Sequence, residues 1–348
     1  MVNWSRGEER FAAWAKSRQR ARVKFPPLFS SLLPLAAFVF GAASVQAQAP
    51  TGFAVESVME IDAGMFASAP KWSPDGKWIA FSAPKGNGIG LVKADGSGRR
   101  VLTVEPGSGY KFSWSPDASR IVFRAARKEA GPRKYVIRVI ELATGEIEGS
   151  SEVVSDAQPP VWQRGPAGTR WVSQGASGPL EGAWRGAAHA AAIEPARVIA
   201  RDRQVGGEPA LNPVWSKDGG RLAFDSSDQI AVATPNAVGR KLCVGNHPAW
   251  SPDGKWLVFQ ITRDHSHAPD DARQHTPDTS PHLHDDKTNH RIVDSDLWII
   301  GADGAGRHQL TSTVDVMEVD PDWSPDGMAI VCGTEETGKL LVLRVARR

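Results

Sequence analysis

WSPDGKWIAF, residues 72–81, is the stretch whose reading decides the fold, because the chain writes it repeatedly. WSPDASRIVF starts at Trp114, WSPDGKWLVF at Trp250 and WSPDGMAIV at Trp323. In SPDG, proline sets φ at the second turn position, aspartate can bond its own backbone, and glycine accepts left-handed geometry. A tryptophan before the turn and WIAF or RIVF after it make the phrase a hairpin. Both alternating sets of WIAF are apolar, Trp78 with Ala80 and Ile79 with Phe81. A strand apolar on both faces is buried on both, which happens when sheets stack side by side like blades.

VWSKDGGRLAF around Trp215 is a fifth copy, and VWQRGPAGTRWVS around Trp162 is a worn sixth. The tryptophans at 72, 114, 162, 215, 250 and 323 are spaced by 42, 48, 53, 35 and 73 residues. Steps of about 35 to 50 residues suit one four-stranded unit. IGLVKADGSGRRVLT, residues 89–103, supplies two further strands around a glycine-rich turn, and LWIIGADGAGRHQLT at 297–311 repeats the pattern. The fold expected is an all-β, six-bladed propeller. The last repeat has only LLVLRV after its hairpin, whereas FAVESVMEI, residues 53–61, has no unit of its own. That N-terminal strand is expected to complete the last blade and close the ring.

The phrases PKWSPDGKWIAF, PVWSKDGGRLAF and PAWSPDGKWLVF resemble the propeller repeat of the TolB family, and ADGSGRRVLT and ADGAGRHQLT resemble its third and fourth strands. The resemblance spans residues 53–345, without the N-terminal α/β domain of authentic TolB. It implies the propeller fold and, loosely, a role with a protein partner in the cell envelope. Related propellers also occur in prolyl-oligopeptidase-type enzymes, oligogalacturonate lyases and stand-alone exported scaffolds. A peptidase is excluded, since there is no G-x-S-x-G nucleophile elbow.

Residues 1–47 read as a signal peptide: Arg18, Arg20, Arg22 and Lys24 precede the apolar run LFSSLLPLAAFVF, and small residues follow. Residues 48–348 form the propeller, periplasmic or secreted, with no membrane span once the signal is removed. The formal charge of +2 becomes 34 basic against 37 acidic residues without the leader, so there is no basic excess to attract nucleic acid. Cys243 and Cys332 lie in apolar segments and are expected to be buried free thiols.

One segment breaks the pattern. A His/Asp-rich insert, residues 262–296 in the fifth repeat, holds six of the nine histidines. Two H-x-H pairs, His265 with His267 and His282 with His284, are the candidate metal ligands, for a divalent ion. Because the insert joins second and third strands, it shares a rim with the entries to the first strands, where Ala69, Lys111, Pro159, Asn212, His247 and Asp320 fall. Tyr110, Lys111, Asn212, His247 and Asp320 are therefore the candidate ligand contacts, and no catalytic residue is assigned. The turn aspartates Asp75, Asp117, Asp218, Asp253 and Asp326 are assigned to turn formation. The function expected is a non-enzymatic exported scaffold, a monomer, that binds a protein or peptide on the loop-bearing rim. The competing reading is a metal-dependent, lyase-like enzyme whose imidazoles at the channel mouth hold the ion.

Overall fold

The computed structural model describes residues 52–127, 134–149, 154–155, 159–165, 168–175, 178–183, 204–205, 208–234, 239–264, 293–313, 316–335 and 337–348. All lie in one of the chain's two compact units, Gln48–Arg348. The expected signal segment and the histidines 265–290 lie outside the described residues.

The architecture is an all-β propeller. β1 (Phe53–Ile61) is followed by sheet one, made of β2 (Ser68–Trp72), β3 (Trp78–Ser82), β4 (Ile89–Lys93) and β5 (Arg100–Thr103). Sheet two contains β6 (Ser113–Trp114), β7 (Arg120–Arg127), β8 (Lys134–Glu141), β9 (Ile147–Gly149) and β10 (Val154–Ser155). Trp162 falls in a three-stranded sheet of β11 (Val161–Gly165), β12 (Gly168–Gly175) and β13 (Gly178–Ala183), after which β14 (Gln204–Val205) and β15 (Glu208–Pro209) form a separate ladder. β16 (Leu211–Trp215), β17 (Leu222–Ser226), β18 (Gln229–Ala233) and β19 (Arg240–Val244) make sheet four. Sheet five is β20 (Asn246–Trp250), β21 (Trp256–Asp264), β22 (Val293–Gly301) and β23 (His308–Gln309). The last sheet runs β24 (Glu318–Trp323), β25 (Ala329–Thr334) and β26 (Leu340–Arg347), and β1 pairs with β26 at its outer edge.

The repeated phrase forms the hairpin its chemistry dictates. In sheet one, Ser73 Oγ donates to Asp75 Oδ1 at 2.6 Å and accepts the N–H of Trp78 at 2.9 Å, while the Lys77 N–H reaches Asp75 Oδ1 at 3.2 Å. The same Ser–Asp arrangement recurs at Ser115 with Asp117, Ser216 with Asp218, Ser251 with Asp253 and Ser324 with Asp326. Each serine is buried, so the hydroxyl satisfies turn groups that water does not reach. Gly76, Gly219, Gly254 and Gly327 hold positive φ at the turn's last position, and Ala118 holds φ 60° in the one copy that lacks glycine.

The second strands are buried on both faces, as their composition demands. Phe81, Phe123, Phe224 and Phe259 stand nine residues after their tryptophans and are fully buried. Apolar clusters fill the spaces between consecutive sheets: one joins sheets one and two through Ile89, Leu91 and Phe123, and another joins sheets four and five through Ala223, Ile230 and Leu257. The last sheet packs on the first, with Val331, Leu340 and Val342 against Ile79, Phe81 and Val92. First strands lie side by side, β2 with β24, β24 with β20 and β20 with β16, which puts them at the inner edge of the propeller.

Indole nitrogens stitch the inner edges together. Trp114 Nε1 donates to the Lys71 carbonyl at 3.1 Å, Trp162 Nε1 to Ser113 at 3.1 Å and Trp250 Nε1 to Val214 at 3.0 Å. In each case the acceptor is the residue just before the preceding sheet's tryptophan. The tryptophans thus fill space between sheets and also set their stagger. Cys332 is a buried free thiol on β25; Cys243, on β19, is only half-buried, because its strand is the fourth and lies toward the outer edge.

The ladder β21–β22 continues into the expected insert, pairing Thr262 with Ser295 and Asp264 with Val293. Residues 262–264 and 293–296 therefore belong to the hairpin.

Candidate functional site

Five residues occupy the same place in their repeats, three before the tryptophan: Ala69, Lys111, Asn212, His247 and Asp320. All five have left-handed backbone, with φ of 45°, 57°, 44°, 53° and 53°. Non-glycine residues rarely adopt this region, and such strain persists only where surrounding contacts over-determine it. The local cause is visible in sequence. Pro70, Pro213, Pro248 and Pro321 follow four of them and lack the N–H that a regular ladder needs, so strands β2, β16, β20 and β24 bulge between the residue before the left-handed position and the one just ahead of the tryptophan. Pro159 has the equivalent position before Trp162 and is absent from the left-handed set; its ring fixes φ near about −65°.

A second tier sits ten residues after each tryptophan, at the end of the buried second strand: Ser82, Arg124, Asp225, Gln260 and Gly333. Asp225 and Gln260 are buried polar groups. They hold the left-handed residues from the neighbouring sheet. The His247 N–H donates to Asp225 Oδ1 at 3.0 Å, and the Asp320 N–H to Gln260 Oε1 at 2.9 Å. The last sheet has Gly333 at this position and no side chain to offer, and the Ala69 N–H of sheet one bonds the Asp320 carboxylate instead. Cross-sheet bonds of this kind offset the backbone strain.

Side chains extend the same network. Lys111 Nζ donates to Asn212 Oδ1 at 3.1 Å, and Asn212 Nδ2 to Asp225 Oδ2 at 2.8 Å. His247 Nδ1 hydrogen-bonds Asp320 Oδ1, leaving Nε2 with no partner among the described residues. The structure thus brings Lys111, Asn212, His247 and Asp320 together, and adds Asp225, Gln260 and the backbone of Ala69. Sequence reasoning missed Asp225 and Gln260. Their signal was present: a polar residue directly after an apolar run, as in LAFD and WLVFQ.

The electrostatics follow from burial opposed by partners. Burial pushes His247 down, but the hydrogen bond and charge of Asp320, with Asp225 behind them, outweigh it and raise the imidazole above 6.5. For Asp320, burial pushes up, while His247, Lys71 and the Ala69 N–H prevail and hold the carboxyl below 3.8. Asp225 goes the other way: burial raises it despite bonds from Asn212 and the His247 N–H. The His247 and Asp320 side chains are 36% and 29% exposed, so the pair borders solvent.

Tyr110 stands next to Lys111 and is 50% exposed. The Arg124 guanidinium lies between the rings of Tyr110 and Tyr135, 4.6 Å from each centroid, and Lys111 Nζ is 6.0 Å from the Tyr110 ring. These are the chain's two tyrosines. They make a rigid aromatic edge beside the network, of the kind enriched in binding hot spots.

The metal candidates His265, His267, His282 and His284 lie outside the described residues. Among the described residues, no group of three or more His, Cys, Asp or Glu is arranged to hold a metal ion. Nor is any described helix long and apolar enough to cross a membrane.

No family model matches the chain, and neither does any curated protein. Solved structures do match. The Cps50 (Swd1) β-propeller domain of Myceliophteria thermophila is 11% identical with a TM-score of 0.50, over 83% of this chain and 100% of that one. A putative TolB from Agrobacterium tumefaciens is 17% identical, TM-score 0.44, over 81% and 91%. An oligogalacturonate lyase from Vibrio parahaemolyticus is 13% identical, TM-score 0.43, over 79% and 76%. At such identities the likeness is one of fold, and the chain is a β-propeller similar to these.

Proposed function

We propose that the chain is an exported six-bladed scaffold, with no chemistry of its own, that binds a protein or peptide partner of the cell envelope on the rim where the first strands begin. In this reading residues 1–47 are a signal, the mature protein is a periplasmic or secreted monomer, and β11–β13 is the third blade. The Trp162 bond to the preceding sheet, the same step made by Trp114 and Trp250, supports that count. The β1–β26 ladder supports closure of the ring by the N-terminal strand.

Tyr110, Lys111, Asn212, His247 and Asp320 are the proposed contacts. The observation that carries the reading is that one repeat position holds strained, polar, solvent-bordering residues in four sheets, linked into one network. Strain of this kind collects at binding sites, where a fixed geometry is worth its cost.

Photo-crosslinking tests it. With a benzophenone amino acid in place of Tyr110, cells making the protein are expected to yield a discrete cross-linked partner, while the same group at Lys77, in a turn on the opposite rim, yields none. Equal yields from both positions, or no product from position 110, would refute the rim as the partner's site.

A further inference from the structure

The acids of the network are already engaged by internal donors. Asp225 accepts from Asn212 Nδ2 and from the His247 N–H on its two oxygens, and Asp320 accepts from His247 Nδ1 and the Ala69 N–H. A cation arriving at this mouth finds those carboxylates occupied. The ring nitrogen that Asp320 does not engage is His247 Nε2; it has no partner among the described residues, and the side chain is 36% exposed. With Nδ1–H fixed on Asp320, the protonated ring presents Nε2–H as a charge-assisted donor whose direction is set before any ligand arrives. Lys111 adds a second positive charge near enough to act on both His247 and Asp225.

We infer that His247 Nε2 and the Lys111 ammonium form a carboxylate-binding subsite at this mouth, taking the terminal or side-chain carboxylate of a partner peptide. The inference rests on the rim being the partner's site, and it adds the chemical group recognised and a dependence on pH. The charged groups that face His247 are Asp320 from β24, Asp225 from β17 and Lys111 from the segment ahead of β6; Gln260 from β21 and Asn212 from β16 are uncharged. Asp320 keeps the ring charged, so binding weakens as pH rises through the imidazole's raised value.

Acetyl-triglycine with a free C-terminus and its C-terminal amide are suitable probes, titrated into the protein while the His247 Nε2 resonance is followed by NMR from about pH 5 to about 8. The carboxylate form is expected to bind about tenfold more tightly than the amide at the acid end, since one charge-assisted hydrogen bond separates them. That preference is expected to fade with rising pH, to disappear in His247→Gln, and to fade at lower pH in Asp320→Asn, where the ring loses the partner that keeps it charged. A merely structural imidazole would move none of these. Equal affinity for the two probes, binding of neither, or a preference that survives in His247→Gln overturns the subsite. Should either variant fail to fold, the amide comparison and the wild-type pH series still decide. Cross-linking from position 110 judges the rim independently, so failure of the subsite leaves that reading standing.

Discussion

At the scale of single residues, the pair of His247 and Asp320 is a stabilising contact with a defined pH window. His247 titrates higher in the folded chain than its unfolded 6.5, so its contribution is full below 6.5 and is lost as pH rises through the folded value. Asp320 titrates lower than its unfolded 3.8, so its contribution is present above 3.8 and is lost as pH falls through the folded value. Both hold between 3.8 and 6.5. Melting temperatures of wild type and Asp320→Asn, compared across pH, are expected to differ most in that window and by less toward alkaline pH, where the imidazole's charge is lost while the Asp320 carboxylate keeps its other partners. A gap that grows on the alkaline side would contradict the assignment.

At the scale of the element, the repeated hairpin succeeds through its turn, and one copy departs from the rule. Ala118 stands in left-handed backbone at φ 60°, where the other copies place glycine. A left-handed L-residue costs about 1–2 kcal/mol, and glycine gives back about 0.5–1 kcal/mol in unfolded-chain entropy. Ala118→Gly is therefore expected to stabilise the protein by about 0.5 kcal/mol, a rise in melting temperature on the order of 1–2 °C by calorimetry. A drop would mean that the alanine methyl makes a contact worth more than the strain. The serine before the proline was the less legible half of this turn. The turn aspartate and glycine announce themselves by type, whereas the burial of Ser73 and its four counterparts follows from the sheets that cover them.

At the scale of the whole molecule, the first and last described strands pair in the last sheet. Phe53 of β1 packs edge-on against Trp256 at 5.4 Å and Trp323 at 5.3 Å, one from each of two neighbouring sheets, and its N–H donates to His308 Nε2 at 3.0 Å. Removing that ring takes packing from an inter-sheet seam as well as from β1. Phe53→Ala is expected to cost about 3–5 kcal/mol and to lower the melting temperature by several degrees. If β1 were a loosely attached strand, the melting curve would hardly change. Because each inter-sheet cluster is shared by two sheets, the loss at this seam propagates: the sheet on either side depends on the same side chains.

Sequence by itself determined the repeating unit, its turn chemistry, its doubly buried second strand and, by counting back from each tryptophan, the repeat position at which the networked residues fall. Those are short-range properties: proline, aspartate and glycine act on their own few residues, and alternation along one strand decides which side chains are buried. Only the tertiary structure decided which groups hold the left-handed backbone at those positions. Asp225 meets His247, and Gln260 meets Asp320, because adjacent sheets are staggered by packing between their faces, and that stagger is a property of many buried side chains acting together. A hydrogen bond between residues 60 positions apart leaves no periodic trace in a sequence, so the candidate site could be located from the repeat but not wired from it.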